Sequence, residues 1–178
     1  LEGGKNDLIS EKEFVAKILA AKEAKNNNDF LIIARIEALI SGLGVKEALK
    51  RADAYEAAGA DAILIHSKQK TPEEIFEFTD LWKGTIPIVA VPTTYDGVKL
   101  NELHEHKIKM VIYANQTLRA AYTAMENLLK EMMMTEKISD ITQPMSNMNE
   151  IFELQEMYDI KNKEKDLENE LKKLGYIN

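Results

Sequence analysis

Three side chains combine a reactive type with an unusual setting in this sequence. Arg35 stands inside an otherwise apolar run, LIIARI, from Leu31 to Ile36. A permanent guanidinium charge in such a run must find a partner, because an unpaired buried charge is prohibitively costly. Its planar fork suits a carboxylate or a phosphoryl group, which it can grip with two hydrogen bonds at once. Glu37 follows two positions on and therefore falls on the same face of a strand. Two readings of Arg35 stay open: a ligand for an anionic substrate, or half of an internal ion pair with Glu37. His66 closes a second apolar run, AILIH. An imidazole there can donate to an anion or move a proton near neutral pH, and it can equally be a satisfied core histidine. His104 and His106 read as exposed groups on a short polar stretch.

Other patterns carry less chemistry. There is no GxGxxG and no P-loop, and Gly42-Leu43-Gly44 is too short to read as a phosphate cradle. No group of Asp, Glu and His has convincing metal-ligand spacing. Asp61 reads as a capping or pairing residue at the start of its strand. The eight methionines, with Met132, Met133 and Met134 in a row, read as helix packing.

The elements that would position Arg35 and His66 alternate regularly. Ser10 and Glu13 form a capping-box pattern, and Phe14, Val15, Ile18 and Leu19 then share a helical stripe. Asn26 to Asp29 ends that helix. Residues 30–36 are too short and too apolar for an amphipathic helix and predict a buried strand. A helix is expected from about Val45 to Ala58, with Gly59 as its C-terminal cap. A second strand spans Asp61 to His66. Thr71, Pro72 and Glu74 read as the start of a helix, with Thr71 as cap and Glu74 closing the box; Ile75, Phe78, Leu81 and Trp82 form its apolar face. Strands follow at Pro87 to Val91 and Lys109 to Ala114, separated by a short helix over about Lys99 to His106. Asn115 is placed to cap a longer helix ending near Met134.

Four short apolar strands alternating with helices predict an α/β fold with a parallel sheet. Active sites of such folds lie at the C-terminal strand ends. That rule selects Arg35 and Glu37, then His66, Ser67 and Lys68, then Pro92 to Tyr95, then Asn115 and Gln116. A complete barrel needs eight such units, so the chain reads as a small open sheet or as half a barrel. Residues 1–134 form this part and residues 135–178 a helical extension, in which Leu167, Leu171 and Leu174 suit either a partner helix or a solvated terminus.

Composition bounds the partners. Of 178 residues, 30% are charged and the net charge is -7, which argues against broad binding to nucleic acid or anionic membranes. The absence of cysteine excludes disulfides, thiol nucleophiles and Cys-based zinc sites. No secretory signal or membrane span is visible, so a cytoplasmic location is expected. Because residue 1 is Leu and not Met, the sequence reads as a processed or truncated piece.

The segment ARIEALISGLGVKEALKRADAYEAAGADAILIHSKQKTPEEI resembles the phosphoenolpyruvate mutase / isocitrate lyase superfamily, specifically its phosphoryl-handling branch of mutases and phosphonopyruvate hydrolases. VPTTY, VIYANQTLRAA and NEIFELQEM continue the resemblance in the same order. It implies the C-terminal half of a (β/α)8 barrel with added C-terminal helices. It implies interconversion of phosphoenolpyruvate and phosphonopyruvate by Mg2+-assisted phosphoryl transfer, in a homo-oligomer whose subunits exchange C-terminal helices. Arg35 matches the family arginine that binds the substrate's anionic groups, and His66 the histidine at the transferring phosphoryl group. The Mg2+ ligands and the mobile lid are expected upstream of Leu1, so the chain alone is expected to be inactive. Phosphonopyruvate hydrolase is the nearest alternative, and NEIFELQEM tilts the reading toward the mutase. Carbon–carbon lyases usually have Asp where this chain has Glu37 and an acidic residue where it has His66. A non-catalytic oligomerisation module is the alternative of a different class.

Overall fold

A computed structural model describes residues 8–177. The chain divides into two compact units, the first running up to Gln116 and the second starting at Thr117. The sequence pattern places a boundary later, after Met134, where helical periodicity gives way to a polar stretch.

The first unit is built from β/α repeats. Helix α1 (Glu11–Ala24) starts where Ser10 Oγ accepts the Glu13 N–H at 3.2 Å. Strands β1 (Ile33–Ile36), β2 (Ala62–Ile65), β3 (Ile88–Ala90) and β4 (Ile108–Val111) alternate with helices α2 (Gly44–Ala57), α3 (Glu73–Leu81) and α4 (Leu100–Glu105). The four strands form one parallel sheet in the order β1-β2-β3-β4. That order is the one a segment of a barrel has. Right-handed crossovers in strict succession keep the helices on one face, and residues of α2 and α3 do join the core on one face of the sheet.

Strand alternation then sorts the side chains. Ala34 and Ile36, Ile63 and Ile65, and Ile88 and Ala90 join the main core together with Ala48, Ala52 and Tyr55 of α2 and Ile75 and Phe78 of α3. Ala62, Leu64, Val89 and Val91 pack as a second cluster on the opposite face of the sheet, with Ile112 against it. Register pairs Arg35 with Leu64 and Ile36 with Ile65, so Arg35 belongs to that second face.

Local details follow from single residues. Helix α2 ends in a Schellman motif: Gly59 N–H donates to Glu56 O at 2.9 Å and Ala60 N–H to Tyr55 O at 3.0 Å. Gly59 sits at φ +93°, a conformation that a Cβ would strain. Strand β1 begins three residues later than expected, leaving Phe30 and Leu31 exposed. The reason is Asp61, whose carboxylate accepts the Ile32 N–H at 2.8 Å and pairs with Lys25 at 3.1 Å, so this amide bonds a side chain and not the ladder. Asp61 is thereby held below its usual pKa, first by that amide and then by Lys25.

Two further expectations are corrected. Pro72, not Thr71, is the N-cap of α3, and Glu74 does not close a box but turns to Ser67. His106 is not a simple surface group: Nδ1 lies 3.0 Å from Asp80 Oδ1 and the ring stacks on Phe76 at 3.7 Å.

The second unit holds most of α5 (Gln116–Met134), then α6 (Met148–Leu154) and α7 (Met157–Lys173). Asn147 caps α6 by accepting the Glu150 N–H, and Glu150 returns the bond to the Asn147 N–H. Glu131 fastens the segment after α5 by accepting from Thr142 N–H, Thr142 Oγ1–H and Gln143 N–H. None of α5, α6 or α7 contains a buried residue. Met132, Met133, Met134, Met145 and Met148 are exposed.

Candidate active site

The site grows out of the β1–β2 register. Parallel pairing ends at Ile36 and Ile65, and the next residues are Glu37 and His66. Alternation gives Arg35, Glu37 and His66 one common face at the C-terminal edge of the sheet. The three side chains meet there. Arg35 Nε donates to Glu37 Oε1, and Arg35 Nη2 lies 2.7 Å from His66 Nδ1. His66 Nδ1 is also 3.6 Å from Glu37 Oε1. The ion pair of Arg35 with Glu37 is present, and the same guanidinium also reaches His66.

The chemistry of the contact fixes the histidine tautomer. A guanidinium can only donate, so Nδ1 must accept, and the neutral ring carries its proton on Nε2. Burial first, and then the positive charge of Arg35, lower the His66 pKa, while Glu37 opposes them. The imidazole is therefore neutral at physiological pH. Arg35 has five N–H donors, and its contacts among the described residues engage only Nε and Nη2, so the Nη1 edge is open. The arrangement thus offers a neutral Nε2–H donor beside a permanent cation. Glu37 offsets part of that charge and steers the fork.

The other residues at strand ends behave differently. Ser67 is fully buried and Lys68 Nζ donates to Ile40 O at 2.9 Å, tying the loop after β2 to the loop after β1. Thr93 N–H donates to Val91 O at 2.8 Å, a turn contact. Tyr95 is buried, and burial pushes its phenol up to about 12. Asn115 does not cap α5: its N–H donates to Gln116 Oε1 and its Oδ1 is buried without a hydrogen-bond partner among the described residues. Sequence reasoning misses the convergence on Ser67 of Glu74 from α3 and Thr94 from the loop after β3. A signal is present in the spacing of Ser67 and Glu74, but the capping-box pattern claims Glu74 first.

No cluster of three or more His, Asp or Glu side chains among the described residues could hold a metal ion. Arg35 can only donate, Glu37 and His66 Nδ1 are engaged by Arg35, and this set does not suit a divalent cation.

A model of the family described as "Phosphoenolpyruvate phosphomutase" matches residues 1–133. The chain belongs to this family. A phosphoenolpyruvate phosphomutase of Tetrahymena pyriformis is 41% identical over 165 residues, covering 93% of this chain and 55% of its own length. A phosphonopyruvate hydrolase of Variovorax sp. (strain Pal2) is 44% identical over 153 residues, covering 85% and 53%. Among solved structures, a phosphonopyruvate hydrolase in complex with oxalate and Mg2+ superposes with a TM-score of 0.83 at 40% identity, covering 91% of this chain and 58% of that one. The chain spans about half the length of the relatives it matches. The family's fold and the sequential parallel sheet agree: these four β/α units are a segment of the same α/β architecture.

Proposed function

We propose that this chain supplies the phosphoryl-handling half of a phosphoenolpyruvate phosphomutase, which interconverts phosphoenolpyruvate and phosphonopyruvate. One observation carries the reading: Arg35 Nη2 lies 2.7 Å from His66 Nδ1 at the strand ends. In this reading the Arg35 Nη1 edge binds the anionic groups of the substrate. The His66 Nε2–H donates to an oxygen of the phosphoryl group as it leaves oxygen and is taken up by carbon. A loose, metaphosphate-like transition state needs positioning and positive charge more than covalent help, and these two residues offer both. Keeping His66 neutral preserves a donor without adding a second full cation beside Arg35.

The relative solved with oxalate and Mg2+ supports a small, doubly oxygenated anion held with a divalent metal. Mg2+ would serve as a Lewis acid for the enolate oxygens. Its ligands are proposed to lie on barrel strands outside this sequence, as the described residues do not form such a site.

Self-association completes the proposal. Leu118, Tyr122, Met125, Leu129 and Met132 follow one another at steps of four and three along α5, and all are exposed. That spacing is a heptad seam, which suits helix pairing between copies of the chain. No helix among the described residues is long and apolar enough to cross a membrane. A cytoplasmic location is proposed from the charge-rich, cysteine-free composition.

A second reading is favoured by the 44% identity to a phosphonopyruvate hydrolase. The test is phosphorus NMR of the full-length protein with phosphonopyruvate and Mg2+. Phosphoenolpyruvate, lost on Arg35→Ala or His66→Ala, is the expected product. Inorganic phosphate with pyruvate would establish the hydrolase. No turnover of phosphonopyruvate would remove both and leave a lyase or a non-catalytic module.

A further inference from the structure

The loop that carries His66 has a support of its own. The β2 ladder stops at Ile65, so the backbone of residues 66–69 gains nothing from the sheet. Side chains hold it. Ser67 is 0% exposed, and its hydroxyl is used twice: it donates to Glu74 Oε1 in the first turn of α3 and accepts the Gln69 N–H at 2.9 Å. The Ser67 carbonyl accepts Thr94 Oγ1–H at 3.1 Å from the loop after β3. Groups from α3 and the β3–α4 loop thus converge on one residue directly after the histidine.

We propose that Glu74 and Thr94 act through Ser67 as positioning residues for His66, aiming its Nε2–H at the ligand. The proposal rests on the phosphoryl-handling reading of His66 given above. The geometric reason is alternation. Continuing the strand, His66 and Ser67 face opposite sides, so His66 shares the face of Arg35 while Ser67 faces α3. The two side chains leave adjacent backbone positions of a short loop, and a rotation of Ser67 about the chain direction rotates His66 with it. Arg35 holds the imidazole only at Nδ1, a single point about which the ring can swing. The second constraint on ring direction has to come from the backbone, and Ser67 is where the backbone is fastened. Ser67 cannot change partners freely, because a buried hydroxyl that loses its acceptor is left unsatisfied.

A merely structural Ser67 would affect stability and nothing else, so the test reads the imidazole itself. Long-range 1H–15N NMR of the 178-residue chain resolves its three histidines, with His66 assigned by its loss in His66→Asn. The wild type is expected to give the shifts of an Nε2–H tautomer. Glu74→Ala and Thr94→Val are expected to move His66 toward averaged tautomer shifts, and Glu74→Gln, which keeps a side-chain oxygen acceptor, to restore them. Thr94 is exposed and loses one bond, so its variant folds even if Glu74→Ala does not. In the full-length enzyme the same variants should lower kcat by roughly 10- to 100-fold with a smaller change in KM, since small misplacements act on the reacting geometry. Wild-type His66 shifts in both Glu74→Ala and Thr94→Val would overturn the proposal. A full-length protein without turnover, combined with tautomer loss in the variants, would sink the phosphoryl-transfer reading and leave the positioning effect standing.

Discussion

Replacing Tyr95 by Phe should stabilise the protein, although Tyr95 is one of its most deeply buried side chains. The residue is 1% exposed, and its hydroxyl has no hydrogen-bond partner among the described residues. A buried hydroxyl without a partner costs about 1–3 kcal/mol of desolvation. Phenylalanine fills almost the same space and removes that cost, less a small loss of packing where the oxygen stood. The expected net gain is about 1–2 kcal/mol, or roughly 2–8 °C in Tm for a chain of this size. Tyr55→Phe is the matched control. Tyr55 is similarly buried, but its hydroxyl accepts from Arg51 Nη1 at 3.3 Å, so its removal should destabilise by about 1 kcal/mol. Urea unfolding of the three proteins gives the comparison, and ultraviolet titration adds an independent one. The phenol of Tyr95 is pushed up to about 12, so the last phenolate step should vanish in Tyr95→Phe. A loss of stability beyond about 0.5 kcal/mol in Tyr95→Phe would refute the reasoning, because the hydroxyl would then have a partner.

Acidification tests His66. Its folded pKa lies below the usual 6.5, so in the window beneath 6.5 the unfolded chain binds more protons than the folded one. Stability should therefore be full above 6.5, fall as pH drops through the window and level off below the folded pKa, and urea unfolding of His66→Asn should lack this slope. The window precedes protonation of carboxylates such as Asp61, whose pKa is held below 3.8. Phe78→Ala removes a ring with no exposed surface that stacks near Trp82, and unfolding should register a loss of about 3–5 kcal/mol. Charges placed on the α5 seam, as in Met125→Glu with Leu129→Lys, should shift sedimentation toward smaller species; unchanged association would rule that seam out as the interface.

The parallel sheet was legible in the sequence because strands covered by helices on one face and apolar residues on the other become short apolar runs. Arg35 and His66 stood out for the same reason, as polar residues breaking those runs. Their direct contact was not legible, since it depends on register between strands whose hydrophobic pattern fits more than one pairing. Glu74 shows the opposite failure. A Thr-x-x-Glu pattern at a helix start has a strong local explanation, and a tertiary demand, the buried hydroxyl of Ser67, overrode it. His106 failed similarly: a polar surrounding sequence suggested exposure, but Asp80 and Phe76 of a neighbouring helix reach it across the fold. In α5 the seam escaped notice because Met and Tyr dilute the leucine pattern.

The contact between Arg35 and His66 spans only 31 positions of chain, and both belong to a single β-α-β unit. Closing a loop of that length is entropically modest, although α2 also packs on α1 and α3 and β2 also pairs with β3. The register that brings the pair together is thus set within one unit, while the backbone after His66 is fastened by α3 and the β3–α4 loop. The pair also travels as one contiguous segment of polypeptide. A cut or a circular permutation placed outside residues 33–94 would leave the pair and the side chains that fasten the loop after β2 together on one piece of chain.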